Sequence, residues 1–319
     1  MTHPTRLRLA IVGATATGKS ELGLHIAREL EGEVINADSM QLYRGMDIGT
    51  AKVPEADRLG VRHHLLDVLD VTAEASVAAY QRSAVSTVED IESRARVPIL
   101  VGGSGLYVSA VVDGLHFPGT DAHVRARLET ELAAVGPTAM HARLVETDPV
   151  SAARILPTNG RRIVRALEVI EITGSAFEAS MPRPDQSGGW IRIGLTGSRP
   201  AIDARVKTRV DRMWAAGFVD EVRELERGGL RLGRTASRAL GYRQVLEFLD
   251  GACTEDQARN ATVQATCRFV RRQETWFRRD PTINWIPHDQ PLADTLAMVK
   301  HLVAGSRSAP APTGASAEG

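Results

Sequence analysis

The sequence predicts an α/β fold: a parallel sheet core, interrupted by an inserted all-helical domain and followed by a helical C-terminal part. Three observations predict it. The first hundred residues alternate apolar, strand-like runs with helix-patterned segments, the signature of a parallel sheet covered on both faces. From 114 to 189 the helical pattern runs on with no convincing strand, and Pro and Gly punctuate both ends ("HFPGTD" and "MPRPDQSGG"). At "WIRIGLTG" a strand pattern returns, so the core resumes after the insertion.

Taken in order, "LRLAIVG" is a buried strand and "KSELGLHIAREL" a helix with apolar residues at helical spacing. "GEVINADS" is a second strand, which Asp38 is expected to end. In "SVAAYQRSAVSTVEDIESRAR" Val77, Tyr80, Ala84, Val88 and Ile91 share one helical face. "VPILVGGSG" is a strand ending in glycines. The insertion holds "AHVRARLETELAAV", "AMHARLVE", "VSAARIL" and "RRIVRALEVIEITG", all helical. These patterns divide the chain into a first core part at 1–113, the insertion at 114–189, a core continuation with a basic helical part at 190–304, and a tail at 305–319. The tail, "GSRSAPAPTGASAEG", is small, polar and Pro-rich, and is expected to be disordered.

Composition narrows the class. At 319 residues the chain is long enough for well-buried cores, and 43% hydrophobic with 24% charged residues is ordinary for a soluble globular protein. No apolar run reaches the ~18–20 residues that span a bilayer, and the N-terminal run leads into a glycine loop as a core strand does, not as a signal peptide does. Cys253 and Cys267 have no second Cys or His pair at metal-ligand spacing, so they read as buried or inert thiols in a reducing cytoplasm. The 39 basic and 39 acidic residues cancel overall but not locally: Arg227 to Arg279 holds 11 Arg against 5 Asp or Glu. That surplus suits a polyanionic partner.

The first strand runs directly into "GATATGKSE". Gly13, Gly18, Lys19 and Ser20 fit the pattern G-x-x-x-x-G-K-[ST], placed between strand and helix as its mechanism requires, so the core is expected to be P-loop NTPase-like. Glycines let successive N–H groups across Ala14, Thr15, Ala16 and Thr17 face an anion, the following helix adds its positive end, and Lys19 reaches the outer phosphates. Asp38 belongs at the same sheet edge, where a carboxylate binds Mg²⁺ or takes a proton; capping a helix is the plainer alternative. Ser104, in "GGSGLY", is placed to donate to phosphate or simply to make a tight turn. His63 and His64 are adjacent on a strand, point to opposite faces, and are expected to be structural.

Two arginine groups complete the pattern. Arg205, Arg209 and Arg212 share a helix face. In "ATCRFVRRQETWFRR" Arg268, Arg271, Arg272, Arg278 and Arg279 fall within an arc of roughly 120°, with Phe269, Val270, Trp276 and Phe277 expected on the other side. Such a stripe is either a solvated face or a contact for nucleic-acid phosphates.

Seven ordered blocks between Leu9 and Arg279 resemble the bacterial tRNA dimethylallyltransferases: "GATATGKS", "INADSMQLYRGMDIGTAK", "HHLLDV", "VPILVGGSGLY", "RRIVRALEV", "SRALGYRQ" and "RRQETWFRR". The resemblance implies transfer of a dimethylallyl group from dimethylallyl diphosphate to N6 of the adenosine 3′ of the anticodon, with release of pyrophosphate. The loop would then hold a leaving diphosphate, with no phosphoryl group moving. It implies Asp38 as general base, and Lys19, Ser20, Ser104 and Arg209 on the diphosphate, with Mg²⁺ as cofactor, held either by Ser20 or only through the diphosphate. It also implies tRNA contacts, at the anticodon stem-loop, from Asp38, Ser39, Met40, Gln41, Ser104, Arg125, Arg161, Arg162, Arg165, Arg238, Gly241, Tyr242, Arg243, Arg271, Arg272 and Arg278, with the helical insertion as a tRNA-binding domain. A monomer in the cytoplasm is expected.

The chain departs from the family pattern at Ala14 (usually Pro), Thr17 (usually Ser), Ser104 (usually Thr) and Asn159-Gly160 (commonly Asn-Asp), and lacks the zinc-finger extension of eukaryotic members. Three rival readings fit less of the sequence. An ATP-dependent small-molecule kinase leaves the basic C-terminal half without a task, and isopentenyl transfer to free AMP belongs to shorter chains. A non-catalytic RNA-binding module leaves Lys19 and Asp38 unexplained.

Overall fold

Six strands make one all-parallel sheet in the computed structural model, which describes residues 7–177 and 189–308. The strands are β1 (Arg8–Gly13), β2 (Gly32–Asn36), β3 (His63–His64), β4 (Val97–Val101), β5 (Trp190–Thr196) and β6 (Asn284–Pro287), in the spatial order β3-β2-β4-β1-β5-β6. β1 lies between β4 and β5, with Leu9 opposite both Ile99 and Ile191. Alternation along β1 explains why Leu9 to Val12 are all apolar. Leu9 and Ile11 enter one core with Leu22 and Ile26, while Ala10 and Val12 enter another with Tyr80, Ala84, Val88 and Ile91. Each such fully buried aliphatic side chain stabilises the fold by roughly 1.5–3 kcal/mol.

Helix α1 (Lys19–Glu29) supplies Leu22 and Ile26 to the first core, and α2 (Val77–Ser93) presents the expected face to the second, with Val77 only half-buried. Ser76 caps α2 by accepting from the Ala79 N–H. After β4 comes α3 (Gly105–Val112). After β5 come α7 (Arg199–Ala215), α8 (Phe218–Arg227), α9 (Tyr242–Leu249), α10 (Glu255–Phe277) and α11 (Leu292–Ser308).

The chain divides into two compact units, one of Met1–Gly114 with Pro184–Gly319, the other Leu115–Arg183. The second has its own core of Leu128, Met140, Leu144, Ala152, Ile155, Ile163, Val164, Ala166 and Leu167. It is built from α4 (Ala122–Thr147), α5 (Pro149–Ala152) and α6 (Gly160–Thr173). α4 is broken at Gly136, where φ is 81°, and Pro137 opens its second half. Asp121 caps α4 and Asn159 caps α6 through side-chain oxygens. At the Asn-Gly departure, a Cβ on Gly160 would come within 2.8 Å of the Leu132 side chain, so a larger residue there moves only a flexible leucine tip.

Three expectations are corrected. The second strand ends at Asn36, two residues before Asp38. β6 was not foreseen: it is four residues long and sits at the sheet edge, where Pro287 is tolerated because no ladder bond is required of it. Residues 305–308 of the expected tail continue α11, which Val299 and Val303 pin to the core and Lys300 ties to Glu29 at 2.6 Å. The rest of that tail, and most of "MPRPDQSGG", lie outside the described residues.

Candidate active site

The phosphate loop turns because its residues satisfy one another. Thr17 Oγ1 donates to the Ala14 carbonyl at 2.8 Å, and Lys19 Nζ donates to the same oxygen at 2.5 Å. Gly13 (φ 133°) could carry no side chain: a Cβ would stand 2.7 Å from the Leu195 carbonyl oxygen of β5. Ala16 adopts φ 65°, unusual for a residue with a Cβ, and Arg205 of α7 holds it there by donating to its carbonyl at 2.7 Å. Burial, and secondarily the nearby Arg209 guanidinium, pull the Lys19 ammonium down to about 7, against an opposing pull from Asp38. Arg209 is likewise lowered by burial, and again Asp38 opposes the shift. Two cations and one carboxylate therefore share a site without cancelling.

Asp38 is seated by its neighbours. Asn36, buried at the end of β2, accepts from the Asp38 N–H at 2.8 Å and donates to the carbonyls of Asp38 and Leu65. The Asp38 carboxylate accepts from the Met40 N–H at 3.0 Å, a local turn bond that orients it. Ser104 Oγ accepts from the Ser39 N–H at 3.2 Å, which brings the β4–α3 loop against the Asp38 segment. Gly102 makes that approach possible, since a Cβ there would meet the Ala37 carbonyl oxygen at 2.2 Å.

Arg209, on α7, donates to the Thr50 carbonyl at 3.0 Å, as does Gln41 at 3.2 Å. The surrounding loop is tightly anchored. Glu221 of α8 accepts from the N–H groups of Asp47, Ile48 and Gly49 and from the Tyr242 hydroxyl. Lys52, buried, pairs with Asp47 at 2.5 Å and Asp67 at 2.6 Å. The paired histidines are structural: His64 Nε2 lies 2.6 Å from Glu33, whose carboxyl is held down to about 2 chiefly by the Arg94 hydrogen bond.

With this geometry in place, comparison with known proteins decides the family. The family model described as IPP transferase matches residues 41–280. The chain is 60% identical over 288 residues to the tRNA dimethylallyltransferase of Thermobifida fusca, covering 89% of this chain and 90% of that protein. To the Streptomyces avermitilis tRNA dimethylallyltransferase it is 62% identical over 278 residues, covering 87% and 89%. The chain belongs to the IPP transferase family. Its fold matches the full-length tRNA isopentenylpyrophosphate transferase of Bacillus halodurans with a TM-score of 0.70 at 38% identity, over 95% of this chain and 97% of that one. A eukaryotic dimethylallyltransferase acting on tRNA shares the fold at 22% identity, with a TM-score of 0.79 over 97% and 81%.

The remaining site residues expected of an IPP transferase fall into two kinds. Arg268, Arg271, Arg272, Arg278 and Arg279 are exposed along and just beyond α10. Arg271, Arg272, Thr275, Trp276 and Arg279 line an open hollow of about 240 Å³. Phe269 is not opposite the stripe as expected. One turn from Arg272, its ring lies 5.5 Å beneath that guanidinium. Arg238 and Arg243 are exposed, and Met40 and Gln41 half-buried. Tyr242 and Gly241 are both buried, and the Tyr242 ring packs edge-on to Phe218 at 5.0 Å, so its side chain serves the core.

In the helical unit Arg161 and Arg162 are exposed on the first turn of α6. Arg125 and Arg165 are occupied otherwise. Both pair with Glu168, whose side chain is fully buried, and Arg165 also donates to the carbonyls of Pro118 and Gly119. Burial alone would raise the Glu168 pKa, but these guanidinium groups hold it below its ordinary value.

Sequence reasoning missed Gln273, Asn36, Thr50 and Glu221. Gln273 left one trace: a polar residue in line with the apolar stripe of its helix.

Among the described residues no three or more His, Cys, Asp or Glu gather as a metal cage. The Ser20 hydroxyl, exposed on the first turn of α1, fits the sparse oxygen ligation that Mg²⁺ uses when a diphosphate supplies the other ligands. Cys253 and Cys267 are free and half-buried, and burial followed by Asp203 pushes the Cys267 thiol up, away from reactivity.

Proposed function

We propose that this protein transfers a dimethylallyl group from dimethylallyl diphosphate to N6 of the adenosine 3′ of the anticodon in tRNA, releasing pyrophosphate. The observation that carries this reading is the meeting of Lys19, Arg209 and Asp38 at one sheet edge, where burial leaves the two cations under-compensated. A diphosphate supplies the missing negative charge. As the allylic C–O bond breaks, its electron pair moves onto the departing diphosphate, and Lys19, Arg209 and the helix end at Gly18 stabilise the charge that develops. The amine nitrogen forms the new C–N bond while Asp38, oriented by the Met40 N–H, takes its proton. Ser104 positions the Asp38 segment through Ser39 and borders the diphosphate. Ser20 would be the residue to hold Mg²⁺, which when bound would supply positive charge to the leaving diphosphate.

We place the anticodon stem-loop against the α10 stripe, Arg238 and Arg243; within the helical unit, the exposed Arg161 and Arg162 are the candidate tRNA contacts. No helix among the described residues is long and apolar enough to cross a membrane, and we place the reaction in the cytoplasm, with the protein as a monomer. Incubation with radiolabelled dimethylallyl diphosphate and, in turn, bulk tRNA, AMP and buffer tests the proposal, with [γ-³²P]ATP as a separate arm. Label is expected in tRNA at that adenosine. Label in AMP but not in tRNA, or phosphoryl transfer from ATP, overturns it.

A further inference from the structure

Helix α10 has two faces with different partners. Outward, it carries the exposed arginines. Inward, it buries Ala258, Thr262, Thr266, Val270, Gln273 and Phe277. Two of the buried polar residues turn back on their own helix: Thr262 donates to the Ala258 carbonyl and Thr266 to the Thr262 carbonyl. Gln273, only 5% exposed, reaches away from the helix instead. Its Oε1 accepts from the Thr15 N–H at 2.9 Å and its Nε2 donates to the Gly103 carbonyl at 2.8 Å.

The chemistry of the partners fixes the amide's orientation, since a main-chain N–H must meet the oxygen and a carbonyl must meet the nitrogen. The fit is tight. A Cβ on Gly103 would lie 2.4 Å from Gln273 Nε2 and 3.2 Å from the Gly13 carbonyl oxygen. One side-chain amide thus spans the phosphate loop after β1 and the glycine loop after β4. From Gly103 the connection continues through Ser104 to the Ser39 N–H, beside Asp38.

We infer that Gln273 is a positioning residue: it sets the spacing between the diphosphate loop at Thr15 and the Gly103–Ser104 loop, and ties both to the helix whose outer face receives tRNA. The inference rests on the proposed function. A glutamine suits the task because it supplies one donor and one acceptor at once. Methionine of similar length supplies neither, and glutamate keeps the acceptor for Thr15 but turns a carboxylate towards the Gly103 carbonyl. A small error in spacing matters, because near-attack geometry is sensitive to displacements of about 1 Å.

The test uses the full chain as Gln273→Met and Gln273→Glu, with three readouts: the dissociation constant for inorganic pyrophosphate, steady-state transfer, and a thermal melt. Gln273→Glu is expected to bind pyrophosphate roughly tenfold more weakly, as loss of one buried hydrogen bond would do, and Gln273→Met at least as weakly, since it loses both. Turnover at saturating substrates should fall roughly tenfold or more, while the KM for tRNA stays within about twofold. A structural role alone would lower the melting temperature and leave pyrophosphate affinity and turnover of the folded protein at wild-type values; that result overturns the inference. Wild-type behaviour of Gln273→Met in all three readouts would do so too, by showing that neither bond sets anything. The pyrophosphate measurement needs no tRNA chemistry, so it judges Gln273 even if the wild type transfers nothing to tRNA.

Discussion

Arginine does opposite work in two regions of this molecule. In the helical unit, Arg125 and Arg165 are spent on the fold, because Glu168 is fully buried and needs both. Around the phosphate loop and α10, positive charge is left over: Arg209 helps to depress the Lys19 pKa, and the Arg271 and Arg272 side chains stand exposed with no carboxylate partner among the described residues. The lesson is that an arginine-rich segment is not in itself a binding surface. What decides is whether a buried carboxylate lies within reach. Substitutions in the first region should therefore move stability, and those in the second should move binding and chemistry.

The sharpest case is Asp38→Asn. It keeps shape and one acceptor but takes no proton, so single-turnover transfer should fall by roughly 10²- to 10⁴-fold while tRNA and diphosphate bind within several-fold. A normal rate, or a variant that melts early, would remove Asp38 from the role of base.

Next in size is Arg125→Ala with Arg165→Ala. It strands the Glu168 carboxylate in the core and should lower unfolding stability by about 3–5 kcal/mol in denaturant titration. Because the folded pKa of Glu168 lies below the unfolded value near 4.5, its wild-type contribution is present above pH 4.5 and is lost as pH falls through the folded value. The double variant should lack that acid-side slope. If it instead melts like the wild type and binds tRNA poorly, the distinction between the two regions collapses.

Changing Arg271, Arg272 and Arg278 to Ala should do the reverse. Each surface change should cost no more than about 0.5 kcal/mol of stability. The slope of log affinity for tRNA against log salt should flatten by roughly 0.9 for each phosphate no longer neutralised. Unchanged affinity and slope would make the stripe a solvated face.

The smallest effect concerns pH. With the Lys19 pKa near 7 in the ligand-free protein, diphosphate binding above that pH must draw in a proton. Pyrophosphate affinity should therefore weaken as pH rises above about 7, by at most roughly tenfold per unit. Calorimetry at pH 8 in buffers of different ionisation heat measures that uptake. Lys19→Ala should weaken binding and remove the share of the pH dependence that Lys19 contributes, leaving that of pyrophosphate's own ionisation. For the free protein the sign is opposite: between about 7 and 10.5 the unfolded chain holds more protons at this group, so its contribution to stability rises with pH.

Much of this was legible in the sequence, for identifiable reasons. β1 and α2 announced themselves because both faces of a parallel strand and one face of a helix must be apolar. The phosphate loop was legible because its chemistry sits within consecutive residues. What stayed hidden depends on partners distant in the chain. Gln273 bonds Thr15 across 258 residues, and Glu221 gathers the N–H groups of Asp47 to Gly49 across more than 170. No local period reports such bonds. Arg125 and Tyr242 show the converse: a charged or aromatic residue in a motif looks available until its burial or its partner is known.

The placement of β1 has a consequence for the order of events during synthesis. Leu9 pairs with Ile99 on one side and with Ile191 on the other, so the strand that opens the sheet must wait about 180 residues for its second neighbour. The helical unit is contiguous, with α4 packed mainly on α6 of the same segment. Low sequence separation lets such a segment close early, whereas parallel pairing across long separations is slow. On the ribosome the insertion can therefore complete its core while the phosphate loop still stands on a sheet with one open edge. Gln273, made later still, is the last of the loop's fastenings to arrive.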